Sequence, residues 1–261
     1  MVSADLHVHT TNSDGTFTLE TVPAAAHEAG VSVVAITDHD RTNPEIDGPE
    51  TTLSGITVIH GIELRVEYKG IRVDLLGYGV HETDALDSLV SRLQENRIER
   101  ARNIASLVEE EIGYPLDMEF KPGVGRPHIA RAIAASDHHY GYGDAFEHLI
   151  GNDGPCYISR DIPSFDRGRE ILMEACNLVG LAHPLRYDDT ETALSLTAEL
   201  DAVELPYPYG HDVDTAPVEQ VIDAYDLVVT GGSDAHEETL GIAGLDREQY
   251  EAFRTAFESG V

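Results

Sequence analysis

Short apolar runs rich in valine and isoleucine alternate with amphipathic segments along most of this chain of 261 residues. Runs of about four to eight such residues are typical of buried strands, and turn residues bound most of them. The predicted strands are residues 2–8, 33–37, 57–64, a hairpin over 65–79 with its turn at Tyr68–Gly70, and residues 178–183, 201–207 and 227–236. Because helical segments separate most of these strands, the pattern predicts an α/β fold with parallel strands and crossover helices.

Apolar positions at helical spacing predict the helices between these strands. The first covers residues 18–29, although Pro23 is tolerated only in a first turn and favours a later start. The longest covers residues 83–112, where we expect Arg97 and Arg100 to pair with glutamates of the same helix. Further helices are predicted over residues 166–177, 190–199, 215–225 and 246–259.

Residues 115–165 interrupt this alternation. Proline, glycine, histidine and aromatic residues cluster there, in the stretches FKPGVGRPH and DHHYGYGDAF, around short helical segments. We interpret the segment as a mainly helical subdomain inserted into one domain that comprises residues 1–114 and 166–261.

The charge balance is the strongest feature of the composition, with 17 basic residues against 48 acidic ones and a net charge of −31. The periodic apolar segments argue against disorder, so we interpret the acidity as halophilic, a surface that stays soluble where concentrated salt screens repulsion. Such a surface repels duplex nucleic acid, and a nucleotide would have to be bound locally.

Cysteine content and hydropathy narrow the class of protein further. The two cysteines lack metal-site spacing and are too few for a disulfide framework. No run approaches the roughly 20 apolar residues of a membrane span, and the start shows no basic region followed by an apolar one. These features predict a cytoplasmic enzyme, and they leave its oligomeric state open.

Acidic and imidazole side chains lie where the predicted strands end. In the opening stretch DLHVHTTNSDG, alternate residues of a strand share a face, so Asp5, His7 and His9 point the same way. The carboxyl ends of parallel strands gather at one edge of a β/α fold, where active sites form. The polar residues in or after the other strands are Asp38, His39, Asp40, Glu63, Asp74, His183, Asp234 and His236.

Each of these fragments has a simpler interpretation when taken alone. A His-x-His pair is often a packed pair without a ligand, and Ser-Asp-Gly or Asp-His-Asp is an ordinary turn or cap. Carboxylates and imidazoles packed closely together, however, need cations to offset their desolvation and mutual repulsion. The coincidence of all the fragments at strand ends therefore predicts a cluster of metal ions. The role of Asp5, on the same strand face, stays open between orienting a ligand and supporting the fold.

The fragments DLHVHTTNSDG, TDHD, GIE, AHP and GGSDAH, in this order, resemble the motifs of the polymerase and histidinol phosphatase (PHP) family. The resemblance spans both ends of the chain. It implies a distorted (β/α)7 barrel, similar to a TIM barrel, that holds up to three metal ions. The GRPHIA stretch at residues 125–130 makes the chain most similar to the phosphoesterases of that family that act on 3′,5′-bisphosphate nucleotides and short RNA. The resemblance to these phosphoesterases also implies that the insertion contributes to substrate binding.

The resemblance further implies a role for each candidate ligand. The implied ligands are His7, His9, Glu63 and Asp234 for one ion; Glu63, as a bridge, with His183 and Asp74 for a second; and Asp14, His39 and His236 for a third. The chain departs from the family at Asp74, where many members have histidine. Aspartate still binds divalent ions and favours the harder ones. The implied cofactors are two or three divalent ions, with Mn²⁺ first and Zn²⁺, Mg²⁺ or Fe²⁺ as alternatives.

A cluster of this kind predicts hydrolysis of a phosphate ester by a metal-activated hydroxide, with Glu63 and Asp234 as the catalytic carboxylates. Arg126, His128 and Arg186 are the candidates for binding the substrate phosphate. The two arginines are equally compatible with surface ion pairs. His128 is also a candidate general acid for the leaving group.

Four functions compete for this pattern. The leading prediction is a phosphoric ester hydrolase, a phosphatase, that acts on a small phosphorylated substrate such as a nucleotide; a histidinol-phosphatase-like phosphomonoesterase is the nearest alternative. An amidohydrolase-type C–N hydrolase needs a lysine at a strand end, whereas Lys69 lies in the hairpin turn and Lys121 in the insertion. A non-catalytic PHP module predicts eroded ligands, whereas all nine positions hold competent groups.

Overall fold

The computed structural model describes residues 1–237 and 239–260, and it contains a mixed sheet of eight strands. The strands are β1 Ala4–Val8, β2 Val33–Ile36, β3 Glu50–Leu53, β4 Ile56–Tyr68, β5 Ile71–Tyr78, β6 Leu178–Leu181, β7 Ala202–Glu204 and β8 Val228–Thr230. The helices are α1 Val22–Ala29, α2 Asp84–Ile112, α3 Arg126–Ala135, α4 Tyr142–Ala145, α5 Phe165–Ala175, α6 Thr190–Ser195, α7 Ala216–Tyr225 and α8 Arg247–Ser259. The predicted α/β class is confirmed. Within the described residues, no helix is both long enough and apolar enough to cross a membrane.

The strands are ordered β1-β2-β4-β5-β6-β7-β8, with β3 paired to β4 outside this path. β1, β2 and β4 run parallel, as do β6, β7 and β8, but β5 is antiparallel to both β4 and β6. The predicted hairpin accounts for this mixture. Its turn residues Lys69 and Gly70 both have positive φ, 49° and 88°, the backbone that suits a two-residue hairpin turn.

The sheet curls into a half-barrel, so that the segment after its last strand meets its first. Leu6 donates its N–H to Gly231 O at 3.0 Å, and His9 donates to Ala235 O at 3.0 Å. Gly232 permits this approach, because a Cβ there would lie 2.4 Å from the backbone nitrogen of His7. Chain segments from the two ends of the sequence therefore lie side by side.

Strand β1 is buried on both faces. Because alternate side chains point to opposite faces, its apolar residues lie on one face and its polar residues on the other. Leu6 packs with Phe253 of α8, and Val8 packs with Val22 at the start of α1. Burial of such side chains stabilises the fold by about 1.5–3 kcal/mol each. The opposite face is left to Asp5 and the two histidines.

The chain forms two compact units, one of residues 1–90 with the described residues from 162 onward, the other of residues 91–161. The second unit has its own core, in which Ile104 and Val108 of α2 pack with Ile129 of α3 and Leu149. It begins earlier in the chain than the insertion predicted over residues 115–165, because this half of α2 supplies part of its core.

Candidate metal centre

The predicted metal ligands converge in the first unit. The groups whose ligand atoms lie within 4.8 Å of one another are His7, His9 and Glu63; His9, Asp14, His39 and His236; and Glu63, Asp74 and His183. Asp234 joins the first group, because its Oδ1 lies 3.1 Å from His9 Nε2 and 3.4 Å from His7 Nε2. The fold therefore brings together all nine side chains that the sequence nominates.

Glu63 lies at the centre of this cluster. Its Oε1 lies 3.0 Å from His183 Nε2, and its Oε2 lies 2.6 Å from His39 Nδ1 and 3.4 Å from His9 Nε2. Burial alone would raise its pKa, but His39 and then His7 reverse that effect and hold the pKa well below its ordinary value. The carboxylate is thus ionised, the form that binds metals, and it contacts ligands of all three groups.

The other two central carboxylates are ionised for the same reason. Burial would raise the pKa of Asp234, but His7 and His9 lower it far below its usual range. His39 and His236 likewise outweigh burial and lower the pKa of Asp14. Both lowered pKa values favour the negatively charged form of the acid, which binds metals.

Asp5 and Asp38 each lie one or two residues before a candidate ligand, and their carboxylates support the loops that carry the ligands. Asp38 accepts hydrogen bonds from Thr10 N at 2.8 Å and from Ser13 Oγ at 2.6 Å, which fixes the turn before Asp14. Asp5 accepts from Ser233 N at 2.9 Å and from Gly241 N at 2.7 Å. Burial raises the pKa of Asp5 to about 6. The role left open for Asp5 is therefore to hold the Asp234 loop against β1.

Glu204, at the end of β7, orients one ligand from each of two groups. It is fully buried; its Oε1 lies 3.1 Å from His7 Nδ1 and its Oε2 accepts from His183 N at 2.7 Å. Because a carboxylate only accepts, His7 donates from Nδ1, and the neutral ring then turns the lone pair of Nε2 towards the centre. Sequence reasoning missed this residue, although the end of the predicted strand over 201–207 was the available signal.

Two of the candidate ligands have strained backbones. His183 and Asp234 adopt positive φ values of 29° and 50°, each of which costs on the order of 1–3 kcal/mol in a residue other than glycine. Strain of this kind concentrates at functional sites, where the surrounding structure holds it in place. For His183 that support includes the hydrogen bond from its N–H to Glu204.

Asp74 has a partner that the sequence did not predict. Arg65, opposite it on β4, donates from Nε to Oδ1 at 2.6 Å and from NH2 to Oδ2 at 2.5 Å. Both carboxylate oxygens therefore bind one guanidinium, while His183 Nε2 lies farther away, at 3.7 Å from Oδ2. Neighbouring Asp74 raises the pKa of Arg65, so the guanidinium stays charged.

The first group fits a divalent ion. His7 Nε2 is buried and makes no hydrogen bond with any residue in the described part of the chain. It lies between Asp234 Oδ1 at 3.4 Å and Glu63 Oε1 at 3.6 Å. Separations near 3.5 Å are those of donor atoms that share an ion about 2.1 Å from each. The group of Asp14, His39 and His236 has the same mixture of nitrogen and oxygen donors, with Asp14 Oδ1 3.3 Å from His236 Nε2.

The predicted substrate-binding residues fall in different places. Arg186 lies at the centre, where its NH1 donates to Asp234 Oδ2 at 3.1 Å and to Tyr207 OH at 2.8 Å. Arg126 and His128 lie in the second unit. There Arg126 donates to Ile150 O at 3.0 Å, and His128 Nδ1 accepts from Gly125 N at 3.2 Å, which caps α3. Substrate binding by these residues stays a prediction.

A curled α/β sheet that gathers buried histidines and carboxylates around shared positions is typical of metal-dependent enzymes. Comparison with known families is more specific. Residues 5–141 match the family model of the PHP domain, and the chain belongs to that family.

Named relatives agree with this assignment. The chain is 32% identical over 248 residues to the phosphoribosyl 1,2-cyclic phosphate 1,2-diphosphodiesterase of Eggerthella lenta. The aligned region covers 89% of this chain and 93% of the relative. The chain is 28% identical over 202 residues to the 3′,5′-nucleoside bisphosphate phosphatase of Chromobacterium violaceum, covering 74% and 71%. A solved structure from Bifidobacterium adolescentis, thought to be a metal-dependent phosphoesterase, shares the fold with a TM-score of 0.80, 22% identity and coverage of 98% and 96%. The predicted enzyme class, a hydrolase acting on phosphoric ester bonds, is confirmed.

Proposed function

We propose that this protein hydrolyses a phosphate ester of a 3′,5′-bisphosphate nucleotide or of a short oligoribonucleotide in a metal-dependent reaction. The observation that carries the proposal is the buried His7 Nε2, which lies between two ionised carboxylates without a hydrogen bond in the described chain. The C. violaceum relative, named for the same substrate class, supports the choice of substrate. We also propose that the curled sheet is the predicted (β/α)7 barrel, since residues 231–236 join β8 to β1 through hydrogen bonds.

We further propose that the centre holds two divalent ions, Mn²⁺ first among them. His7, His9, Glu63 and Asp234 would hold one, and Asp14, His39 and His236 the other. Divalent ions bound there would lower the pKa of a coordinated water towards about 7 and offset the charge of the phosphoryl oxygens. The third group is different, because the Arg65 guanidinium already binds both oxygens of Asp74.

The chain's own residues then have separate tasks. Glu63 contacts ligands of both ion sites and couples them. Arg186, which contacts Asp234 while 52% of its side chain stays exposed, can donate further hydrogen bonds to a phosphoryl oxygen. Arg126 and His128 are proposed to bind the remainder of the substrate, with His128 as a candidate acid for the leaving group.

A second candidate substrate is a phosphoribosyl cyclic phosphate. The observation in its favour is the 32% identity to the E. lenta enzyme over nearly the full length of both chains. Both candidate substrates place the reacting phosphate ester on a ribose that carries another phosphate. A Mn²⁺-supplemented assay in molar KCl that compares the two with histidinol phosphate would decide between them. A preference for histidinol phosphate would overturn the substrate assignment.

Replacement of Glu63 tests the centre itself. We expect Glu63→Gln to lower kcat by at least about 100-fold, because one neutral amide oxygen cannot replace two charged oxygens between two ion sites. Glu67→Gln is the matched control, since Glu67 lies on the same strand and is exposed. A Glu63→Gln variant that keeps the kcat of the parent protein with saturating Mn²⁺ would show that the coupling role is wrong.

A further inference from the structure

Tyr207 lies beside the loop that carries Asp234, although no sequence motif nominates it for the centre. Backbone pairing brings it there. Gly232, two residues before Asp234, donates its N–H at 3.0 Å to the carbonyl oxygen of Pro206, which directly precedes Tyr207. A Cβ on Gly231 would lie 2.8 Å from the Pro206 side chain, so this close approach needs a glycine. The segments after β7 and β8 therefore run side by side up to the two side chains.

Tyr207, Arg186 and Asp234 form a closed set of hydrogen bonds. Arg186 NH1 donates to Tyr207 OH at 2.8 Å and to Asp234 Oδ2 at 3.1 Å, and Tyr207 OH donates to the same Oδ2 at 2.7 Å. The direction of each bond follows from the groups, because a guanidinium only donates, a carboxylate only accepts, and a phenol does both. The hydroxyl therefore links the arginine to the aspartate.

The two oxygens of Asp234 have different surroundings as a result. Oδ2 accepts from the phenol and the guanidinium, whereas Oδ1 lies 3.1 Å from His9 Nε2 and 3.4 Å from His7 Nε2. Carboxylates that bind metals are themselves hydrogen-bonded to neighbouring groups, and these bonds fix their orientation. The contacts on Oδ2 thus leave Oδ1 turned towards the first group of candidate ligands.

Another arginine–aspartate pair at the centre shows the alternative arrangement. Arg65 binds both oxygens of Asp74 through two nitrogens, the fork geometry that suits a guanidinium and a carboxylate. Arg186 instead contacts Oδ2 of Asp234 through NH1, and this nitrogen also donates to Tyr207. Because the hydroxyl accepts one N–H of NH1, it holds the Arg186 guanidinium away from the fork geometry.

We propose that Tyr207 is a positioning residue, which keeps Asp234 available as a metal ligand by restricting Arg186 to one of its two oxygens. The inference rests on the proposed function, because the ion concerned is the one assigned to the first group. The hydroxyl carries this role. The ring itself packs against His183, with ring centroids 5.4 Å apart at 64°, and phenylalanine would retain that contact.

Removal of the hydroxyl alone tests the proposal. We expect Tyr207→Phe to weaken the binding of one Mn²⁺ to the metal-free protein by about 10- to 100-fold, the range for residues that orient ligands. Titration calorimetry in molar KCl measures this affinity. Tyr209→Phe is the matched control, because its ring lies 4.7 Å from that of Tyr207 and its hydroxyl accepts from Leu185 N at 3.4 Å. Equal Mn²⁺ affinities in the two variants would overturn the proposal.

Replacement of Arg186 separates this role from support of the loop. In the double variant Tyr207→Phe with Arg186→Met, the competing guanidinium is absent. We therefore expect its Mn²⁺ affinity to lie within about threefold of that of Arg186→Met alone, a coupling that a double-mutant cycle measures. If Tyr207→Phe costs as much affinity in the Arg186→Met background as in the parent protein, the hydroxyl acts independently of Arg186 and the proposal is wrong.

Neither titration uses a substrate, so this inference and the proposed function can fail separately. Mn²⁺ binding that follows these expectations, in a protein that hydrolyses neither candidate substrate, would retain the role of Tyr207 and reject the proposed function. Hydrolysis of a candidate substrate, together with Mn²⁺ binding that is insensitive to the Tyr207 hydroxyl, would do the reverse.

Discussion

Glu204 gives the sharpest test of how this centre is built. Its two carboxylate oxygens serve two different ligands, the ring of His7 through Oε1 and the backbone of His183 through Oε2. In the neutral ring, the first contact selects the tautomer of His7 that leaves Nε2 without a proton, and the second holds a residue with a φ of 29°. Replacing Glu204 by glutamine keeps the shape and changes only these contacts.

The size of the effect follows from the donors that glutamine would meet. An amide offers one acceptor and one donor, so one orientation places NH₂ against the N–H of His183, and the other places it against Nδ1 of His7. In the second orientation Nδ1 must accept, and the ring proton moves to Nε2, where it blocks metal binding. Loss of one charged hydrogen bond and weakening of the other predicts a decrease of about 2–4 kcal/mol in the free energy of unfolding. The altered His7 predicts a 10- to 100-fold loss of metal affinity, in the range of about 10- to 100-fold observed for residues that orient ligands.

Mn²⁺ titration calorimetry and urea unfolding of the metal-free protein, both in molar KCl, measure the two quantities separately. Glu199→Gln is the control, because Glu199 lies shortly before β7 with 53% of its side chain exposed. Rescue by aspartate is not expected, since the shorter side chain cannot reach both partners. A Glu204→Gln protein that binds Mn²⁺ within about threefold of its parent would refute the tautomer argument, whatever its stability.

Two further predictions concern charge. Arg65→Met should leave Asp74 available as a ligand, and we expect the bound Mn²⁺ measured by elemental analysis to rise by one ion per chain; an unchanged content would mean that Arg65 is not what limits the third group. Raising KCl from about 0.1 to 2 M shortens the screening length from about 10 Å to below 3 Å, so the melting temperature should rise steadily if the acidic surface is halophilic. A melting temperature that stays flat or falls would contradict that interpretation.

The ligands could be predicted from the sequence because their signal is local. Alternation along β1 places His7 and His9 on one face, and apolar runs end shortly before His39 and directly before His183. The same signal overestimated strand length. β8 ends at Thr230 because the following residues carry Asp234, whose backbone turns into the left-handed region to reach the centre.

Contacts between distant residues left no such signal. Glu204 and His7 are 197 positions apart, and nothing in either fragment reveals that they meet. Strand β3 escaped prediction because its residues are only partly buried, with one of the four exposed, and it pairs only with β4 at the side of the sheet. For Arg100, the rule that favours glutamate partners on a helix gave the wrong answer, since the fold turns this face of α2 towards other arginines.

The charges around the centre also bear on the number of ions. Five carboxylates lie in or beside it, those of Asp14, Glu63, Asp74, Glu204 and Asp234, while two arginines contact them, Arg65 and Arg186. Three negative charges therefore remain for metal ions to offset. Two divalent ions exceed this by one charge, which a phosphate dianion then reverses, whereas three divalent ions would leave a larger surplus than the cleaved phosphate group alone carries. The aspartate at position 74 thus does more than replace a histidine: it binds the guanidinium of Arg65, which brings a fixed positive charge to the place where the family resemblance implied a second metal.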